Sequence, residues 1–342
     1  MYQNVLQKLY QQPETYNPKA NIVNHIHYFL NQNLKSDQKI GVSLSGGVDS
    51  MVISSIIRNL GYSLVVLHID YGNREESGEE AEFIKYYCQQ HRIDLVYHEM
   101  DIFRATSNRR YYESTTKKTR FGLYKKLIEA ENVAGICLGH HDGDIVENFF
   151  NNFIGGQSIL DLPKIKSVNI LEGVPIWRPL IGIQKLEIFE YAHQNNILYF
   201  KNTTPSSSCR GFMREQIFPM LESYNKGFIR NLKQVGEQST EWGEFIEGAI
   251  IQPFIRDNVI ISSDLKCIHV GISLENLETM PIIFWHSMLN QCFHQCGIDG
   301  VSRKSVFNLI IKLRQSFEIK CKIIIKKHIA SIWDGKKLLI SC

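Results

Sequence analysis

The stretch Ser45-Gly46-Gly47-Val48-Asp49-Ser50 carries the most chemistry in this sequence. Adjacent glycines let backbone N–H groups curl around an anion, and a helix starting there adds the partial positive charge of its N-terminus. The hydroxyls of Ser45 and Ser50 can donate to phosphate oxygens. Asp49 repels phosphate, so it either holds Mg²⁺ between phosphate groups or orders the loop. No lysine follows the glycines, which excludes the P-loop of kinases and GTPases. A plain Gly-Gly turn between strand and helix is the bland alternative.

A second group is His140, His141, Asp144 and Glu147. The two acids, three residues apart, share a helix face. Such a pair can grip Mg²⁺ or an ammonium group, accept a proton, or complement the helix dipole. The two histidines suit helix capping and packing as well as catalysis. Arg120 either reaches phosphate or nucleic acid or lies on a solvated helix face.

These residues need elements to position them. Residues 39–44 read as a short strand delivering the glycine loop, and 49–60 as the helix leaving it, stopped by Gly61. Further strands are expected at 63–70, 94–100 and 133–138, the last running into His140. Helices are expected at 21–34, 75–91, 115–130 and 144–153. Strands alternating with helices predict an α/β fold with a doubly wound, mostly parallel sheet, whose ligands bind beyond the strands' carboxyl ends. Later come helices at 184–194, 210–220 (with an early interruption expected at Gly211), 226–250, 281–296 and 302–313, with Ser302 as N-cap of the last. Strands at 319–326, 329–333 and 338–340 follow, with a hairpin turn at Asp334-Gly335. This predicts an N-terminal helical extension (1–36), a nucleotide-binding domain (37–222) and a smaller mixed helical and β C-terminal domain (223–342).

The chain has 342 residues, 44% hydrophobic and 21% charged, the balance of a globular protein. No apolar run approaches the ~18 residues that span a bilayer. No secretory or lipidation signal is visible, so the cytoplasm is expected. Net charge is only +3, yet between Val301 and Lys337 ten cations face only Glu318 and Asp334. That end faces a polyanion or is simply a solvated surface. Eight cysteines include no Cys-x-x-Cys. Cys292 and Cys296, near His286 and His294, suit a reduced helix face better than zinc, which needs four converging ligands.

The glycine hexapeptide resembles the pyrophosphate loop of the N-type ATP pyrophosphatases, whose members cleave ATP between the α and β phosphates. Leu138-Gly139-His140-His141-Asp142-Gly143-Asp144-Ile145-Val146-Glu147 resembles the His-His-x-Asp-Asp-x-x-Glu stretch of the tRNA(Ile)-lysidine synthetase family. Gly143 stands where that family has an acid, and Asn148 where it has threonine. Lys117-Lys118-Thr119-Arg120-Phe121 is similar to its Arg-x-x-Arg-Tyr element. Trp177-Arg178-Pro179-Leu180, with Lys185, Glu187 and Ile188, is similar to its Arg-Pro-Leu…Lys-x-Glu-Ile run. Arg210-Gly211-Phe212-Met213-Arg214, followed by Pro219, is similar to its Arg-Asn-x-x-Arg…Pro element. Asn202-Thr203-Thr204 stands near its Asp-x-Ser-Asn, and the run from Ser302 to Leu339 is a weaker match to its terminal domain.

The resemblance implies a Rossmann-like PP-loop ATPase that uses ATP and Mg²⁺, with Ser45 to Ser50 on the phosphates and Asp49 on the metal. It implies adenylation of the 2-carbonyl oxygen of a wobble cytidine and displacement of AMP by the ε-amine of free lysine. Asp49, Asp144 and Glu147 would be catalytic. Arg120, His140, His141, Arg178, Arg210 and Arg214 would bind substrate or tRNA. The partner would be a tRNA anticodon loop, with the C-terminal domain along the tRNA backbone, no membrane, and a homodimer allowed. A tRNA 2-thiolation enzyme of the same superfamily is the competing expectation, weakened by the missing Cys-x-x-Cys. The substitutions Gly143, Asn202 and Gly211 also motivate a non-catalytic nucleotide- or RNA-binding protein.

Overall fold

The computed structural model describes residues 13–72, 77–100, 108–159, 162, 165–200, 209–262, 267–315, 317, 319–326, 329–335 and 337–341. Asn202-Thr203-Thr204, the expected helix start at Glu75, Lys327 and Lys336 lie outside the described residues. The chain forms two compact units, one of Met1–Gly155 with Leu162–Gly236, the other of Gly156–Asp161 with Glu237–Cys342.

The first unit is built on β1 (Lys39–Ser43), β2 (Leu64–Asp70), β3 (Asp94–Glu99), β4 (Val133–Cys137), β5 (Val168–Leu171) and β6 (Val174–Trp177). Their spatial order is β3-β2-β1-β4-β6-β5. The first five in that order run parallel, and β5 is antiparallel to β6. The chain steps from β1 outward to β2 and β3, then returns to place β4 on the other side of β1. That reversal opens a crevice between the carboxyl ends of β1 and β4, the place where open parallel sheets bind ligands.

Helices cover both faces, as buried parallel strands require. On one face α1 (Asn21–Asn33), α2 (Val48–Asn59), α3 (Ser77–His91) and α6 (Lys185–Gln194) pack around Ile26, Leu30, Val42, Met51, Ile53, Val66, Ile84 and Ile188. Ile22, Ile26 and Leu30 recur every fourth residue, so α1 presents one apolar stripe to this core. On the other face α4 (Arg109–Glu131) packs Phe121, Tyr124 and Leu127 on Val65, Leu67 and Ile136. Alternate residues of β2 therefore serve opposite cores.

The β5–β6 hairpin escaped the sequence reading. Its turn residues Glu172 and Gly173 have φ of 52° and 78°, both left-handed. That is the type I′ pattern, which fits the strand twist, but Glu at the first position hides it from an Asn-Gly or Asp-Gly search.

The helix expected from 210 is continuous through Gly211, and the irregularity comes later. α7 (Cys209–Phe212) passes through a π-helical turn, Met213–Ile217, into α8 (Phe218–Tyr224). Phe218 N donates to Met213 O, and Pro219 follows. Proline lacks an N–H and its ring crowds the carbonyl one turn back, and the wider turn relieves that conflict. The same device recurs after α9 (Phe228–Ile246), where the π turn Glu247–Ile251 precedes Pro253 in α10 (Gln252–Asn258).

The second unit holds a five-stranded antiparallel sheet in the order β7-β8-β11-β10-β9, from Val259–Ile261, Cys267–Gly271, Cys321–Lys326, Ile329–Trp333 and Lys337–Ser341 in chain order. α11 (Leu274–Thr279) opens with a capping box in which Ser273 accepts from Asn276 N. α12 (Ile282–Gln295) and α13 (Arg303–Gln315) bury Trp285, Met288, Phe293, Leu309 and Leu313 with Trp333 and Ile340 in one core. Ser302 Oγ accepts from Ser305 N at 3.2 Å, the expected N-cap. Cys292 is buried with its sulfur 3.9 Å from Met288 Sδ, and His286 Nε2 lies 3.0 Å from Val301 O. No helix among the described residues is long and apolar enough to cross a membrane.

Candidate active site

The glycine hexapeptide joins β1 to α2 at one lip of the crevice. Gly46 has φ of 80°, a left-handed conformation that favours glycine. Ser50 is buried and shapes the loop from within: its Oγ donates to Gly47 O at 3.0 Å and accepts from Ser45 N at 3.2 Å. Ser45 Oγ lies 3.2 Å from Ser50 Oγ and 3.4 Å from Gly47 N. The proton of Ser50 is thus spent on the loop, while Ser45 is exposed at its surface. The groups turned to a ligand are the N–H donors at the start of α2, which have no intrahelical partners. Asp49 is half-buried, and Lys185 Nζ donates to its two oxygens at 2.6 and 2.7 Å.

The opposite lip begins where β4 ends. Gly139 touches the loop so closely that a Cβ there would sit 2.9 Å from Asp49 Cβ and 3.2 Å from Ser50 N. The two lips are in contact, and position 139 admits only glycine without movement. His141 then caps α5 (Asp142–Ile154): its Nδ1 accepts from Gly143 N at 3.0 Å, and Asp144 Oδ2 accepts from His141 N at 3.0 Å. The His141 ring lies over position 143, where a Cβ would meet its Cε1 at 2.7 Å. Gly143 therefore belongs to this cap.

Asp144 and Glu147 are buried at 5% and 3% exposure. Arg214 spans them: its Nε donates to Glu147, and its Nη2 reaches Asp144 Oδ1 and Glu147 Oε2 at 3.1 Å each. Arg210 is looser, 3.6 Å from Asp144 and 4.0 Å from Glu147. Both arginines stand nearer solvent than the acids they pair with. Arg178 is buried, donating from Nε to His140 Nδ1 at 3.1 Å and from Nη1 to Lys166 O and Asn169 Oδ1 at 2.7 Å. It ties the β5–β6 hairpin to the histidine. Arg120 on α4 lies near enough for its charge to act on His140.

Both histidines accept through Nδ1, so each is neutral with its proton on Nε2. Their titration agrees. Burial, helped by Arg178, Arg210 and Arg120 and opposed by Asp144, pushes His140 down to about 4. Burial also lowers His141. The two acids diverge. Burial alone would raise Asp144, but the His141 ring and N–H, His140 and Arg210 outweigh it and hold the carboxyl below its ordinary range. Burial raises Glu147 and prevails over Arg214 and Arg210. Paired acids pushed in opposite directions suit different roles, one a fixed charge and one a proton acceptor.

A PP-loop domain family matches residues 18–221, which include both lips and the two clamping arginines. A tRNA(Ile)-lysidine synthase of Chlamydia abortus is 31% identical over 260 residues, covering 75% of this chain and 80% of that protein. The chain belongs to the tRNA(Ile)-lysidine synthase family of PP-loop proteins. A second lysidine synthase, from Chlamydia felis, is 29% identical with the same coverage. Among solved structures, the U34-tRNA thiolase NcsA of Methanococcus maripaludis shares the fold, with a TM-score of 0.51, 19% identity, and coverage of 67% of this chain and 85% of that one.

Within this family frame, residues from distant segments meet at one crevice: His140, His141, Asp144 and Glu147 with Arg178, Arg210 and Arg214. Three polar residues of the site went unassigned in the sequence. Lys185 was visible only as part of a resembling run, yet it holds Asp49. Asp142 is buried, accepting from Gly182 N at 2.6 Å, Gln184 Nε2 at 3.2 Å and Lys233 Nζ at 2.5 Å. Lys233 lies beyond the matched domain, on α9. An acid at the first position of a helix reads as a dipole complement, and a lysine on a long helix as a solvated charge, so neither announces its partner.

Proposed function

We propose that this protein joins lysine to C2 of the wobble cytidine of an isoleucine tRNA, converting ATP to AMP and pyrophosphate. One observation carries the reading. A pyrophosphate-type loop and a buried carboxylate pair of divergent acidity share one crevice, in a chain whose relatives of matching length are lysidine synthases.

In the first step the cytidine O2 attacks the α phosphorus of ATP and pyrophosphate leaves. The α2 N-terminus and the loop N–H groups bind the phosphates as negative charge builds on the leaving group. Asp49, half-buried at the loop with its two oxygens on Lys185 Nζ, is the carboxylate that would hold Mg²⁺ by giving up that ammonium, and the ion would supply the charge that neutralises the leaving pyrophosphate. Until then Lys185 holds the Asp49 carboxylate through both oxygens. Adenylation converts a carbonyl oxygen into a good leaving group.

In the second step the lysine ε-amine attacks C2 and AMP leaves. The amine must lose a proton, and Glu147, its carboxyl raised by burial, is the acceptor. Asp144 stays ionised and orients the incoming ammonium. Arg210, with the longest pairings in the cluster, is the partner the substrate displaces. Arg214 keeps the two acids together, and Arg178 with His140 forms a rigid wall.

The base must leave its stack to reach the crevice, which single-stranded anticodon loops allow. The exposed cations Arg303, Lys304, Lys312, Lys320, Lys322 and Lys337 of the second unit suit the tRNA backbone, and a cytoplasmic location goes with that substrate. Sulfur transfer is the weaker reading. Cys137, at the end of β4, is buried and its thiol is pushed up by burial, the state of an inert cysteine.

The test is incubation with an unmodified isoleucine tRNA transcript and ATP, with and without lysine, followed by nucleoside mass spectrometry. A lysine-dependent mass gain on one cytidine is expected. Pyrophosphate release without that gain would overturn lysine as the nucleophile.

A further inference from the structure

Asp142 holds a position no step of this chemistry uses. Its buried carboxylate joins three elements: the turn before α6 through Gly182 N, the N-cap of α6 through Gln184 Nε2, and α9 through Lys233 Nζ. The residue after Gln184 is Lys185, the side chain that grips Asp49 in the loop. The residue before Asp142 is His141, which caps α5 and bridges to Leu180. Asp142 therefore stands where the supports of both lips converge.

We propose that Asp142 and Lys233 are a positioning pair for the ATP site, setting the start of α6 and hence Lys185 against Asp49. Gly182 and Gln184 are neutral donors, so among the described residues Lys233 supplies the only full positive charge in the hydrogen-bond set of this carboxylate. Without it, the carboxylate remains in a buried place built for a charge pair, and the start of α6 shifts to find solvent or another donor. An ion pair of one buried carboxylate and one half-buried lysine contributes little net stability, whereas its directional bonds fix geometry, so it serves placement. Gly182, with φ of 94°, lets the turn present its N–H to Asp142. Lys233 lies outside the PP-loop match, so the long helix α9 completes a site that the matched domain alone leaves unfinished.

This inference rests on the proposed ligase reading for its turnover readout, but not for its ATP readout. The experiment compares the full-length wild type with Lys233→Met, Lys233→Arg, Asp142→Asn and the double variant Asp142→Asn/Lys233→Met. ATP affinity is measured by equilibrium binding, and lysidine formation by kcat and by KM for tRNA. Lys233→Met and Asp142→Asn are each expected to weaken ATP binding about tenfold, or about 1.4 kcal/mol, and to lower kcat by a similar factor. KM for tRNA should stay within about twofold, a split that general loss of fold would not produce. Lys233→Arg should recover most of the loss, and the double variant should lose no more than the worse single one, as expected of two residues acting as a unit. Unchanged ATP affinity in both single variants, or losses that multiply in the double variant, would overturn the pair. If the wild type forms no lysidine while the ATP pattern holds, the ligase reading fails and the positioning pair stands.

Discussion

In the loop after β1, what faces a ligand is a set of neutral backbone N–H dipoles and one half-buried carboxylate held by a single ammonium. In the cluster after β4, two buried carboxylates are clamped by two guanidiniums from a helix some seventy residues away. The loop binds an anion without bringing a net charge of its own. The cluster keeps charges of both signs ready and can exchange one partner for another. That contrast suits a two-step reaction, in which one lip holds a phosphate chain while charge develops and the other receives a cation and takes its proton.

The sharpest way to break the cluster without touching the loop is Arg214→Ala. Of the two guanidiniums over Asp144 and Glu147 it leaves only the looser Arg210. Lysidine formation should fall about a hundredfold or more, equivalent to about 2.7 kcal/mol in the barrier. Stability should fall by about 2–3 kcal/mol, near the lower end for a broken buried pair because the guanidinium is partly exposed. ATP binding should change little. Arg214→Lys should restore little, since an ammonium cannot span both acids as the planar fork does. Equal loss of ATP affinity and of lysidine formation, in steady-state and binding assays, would erase the distinction between the lips.

Gly139→Ala attacks the loop instead. Its Cβ would enter the space of Asp49 and Ser50. Overpacking of this kind costs about 1–3 kcal/mol. ATP affinity should drop about tenfold, with the arginine clamp left intact, and calorimetric titration of ATP measures it. An unchanged affinity would mean that the loop yields freely at this contact.

These two halves also differ in how far they can be read in advance. The loop is local: six consecutive residues between a strand and a helix carry its geometry, and the expected elements on either side agree with β1 and α2 to within a residue. The parallel, doubly wound character of the sheet was legible from strand–helix alternation for the same reason, but its strand order was not. The cluster is not local. Asp144 and Glu147 could be placed on one helix face, but nothing in their spacing says that Arg210 and Arg214 close over them. The pairing depends on the course of the chain between β6 and α8 and on a π turn forced by Pro219. Arg178 was expected on substrate or tRNA through its resembling run alone, and nothing local in the sequence shows that it is buried against His140. The β5–β6 hairpin, β7, β8 and α11 were missed because short strands and a two-turn helix carry too little periodicity to stand out. The pairing of Asp142 with Lys233 spans 91 positions and leaves no local trace.

Acid titration sharpens the contrast further. His140 is held neutral in the folded protein down to about 4, against about 6.5 for a free histidine. The unfolded chain therefore binds more protons between those values, and folding stability falls as pH drops from about 6.5 to about 4, then levels. His140→Asn, which keeps an acceptor for Arg178, should remove part of that slope, up to about 3 kcal/mol across the window. Denaturant melts from pH 7 to 4 measure it. His91, also lowered to about 4 by burial and by Arg58, lies against Glu14 and Tyr87 and should leave its own share of the slope in the variant. An identical pH dependence in wild type and His140→Asn would mean that the histidine is not held neutral by this cluster.

The smallest effect belongs to the exposed cations of the second unit. Charge reversal at Lys320 and Lys322 should weaken tRNA binding modestly and lower the salt slope of log K by about 1–2. The chemistry at either lip should be unaffected at saturating tRNA. A slope equal to that of the wild type, in filter binding across salt concentrations, would remove these residues from the tRNA backbone.

The division of labour between the lips is tested most directly by separating the two steps in Glu147→Gln. With [α-³²P]ATP, tRNA and lysine, the account predicts label transferred from ATP to tRNA, pyrophosphate released in about the amount of adenylated tRNA, and little lysidine formed. Lysidine formed at the wild-type rate, or no label on tRNA under conditions where wild type turns over and the variant still binds ATP, would contradict it.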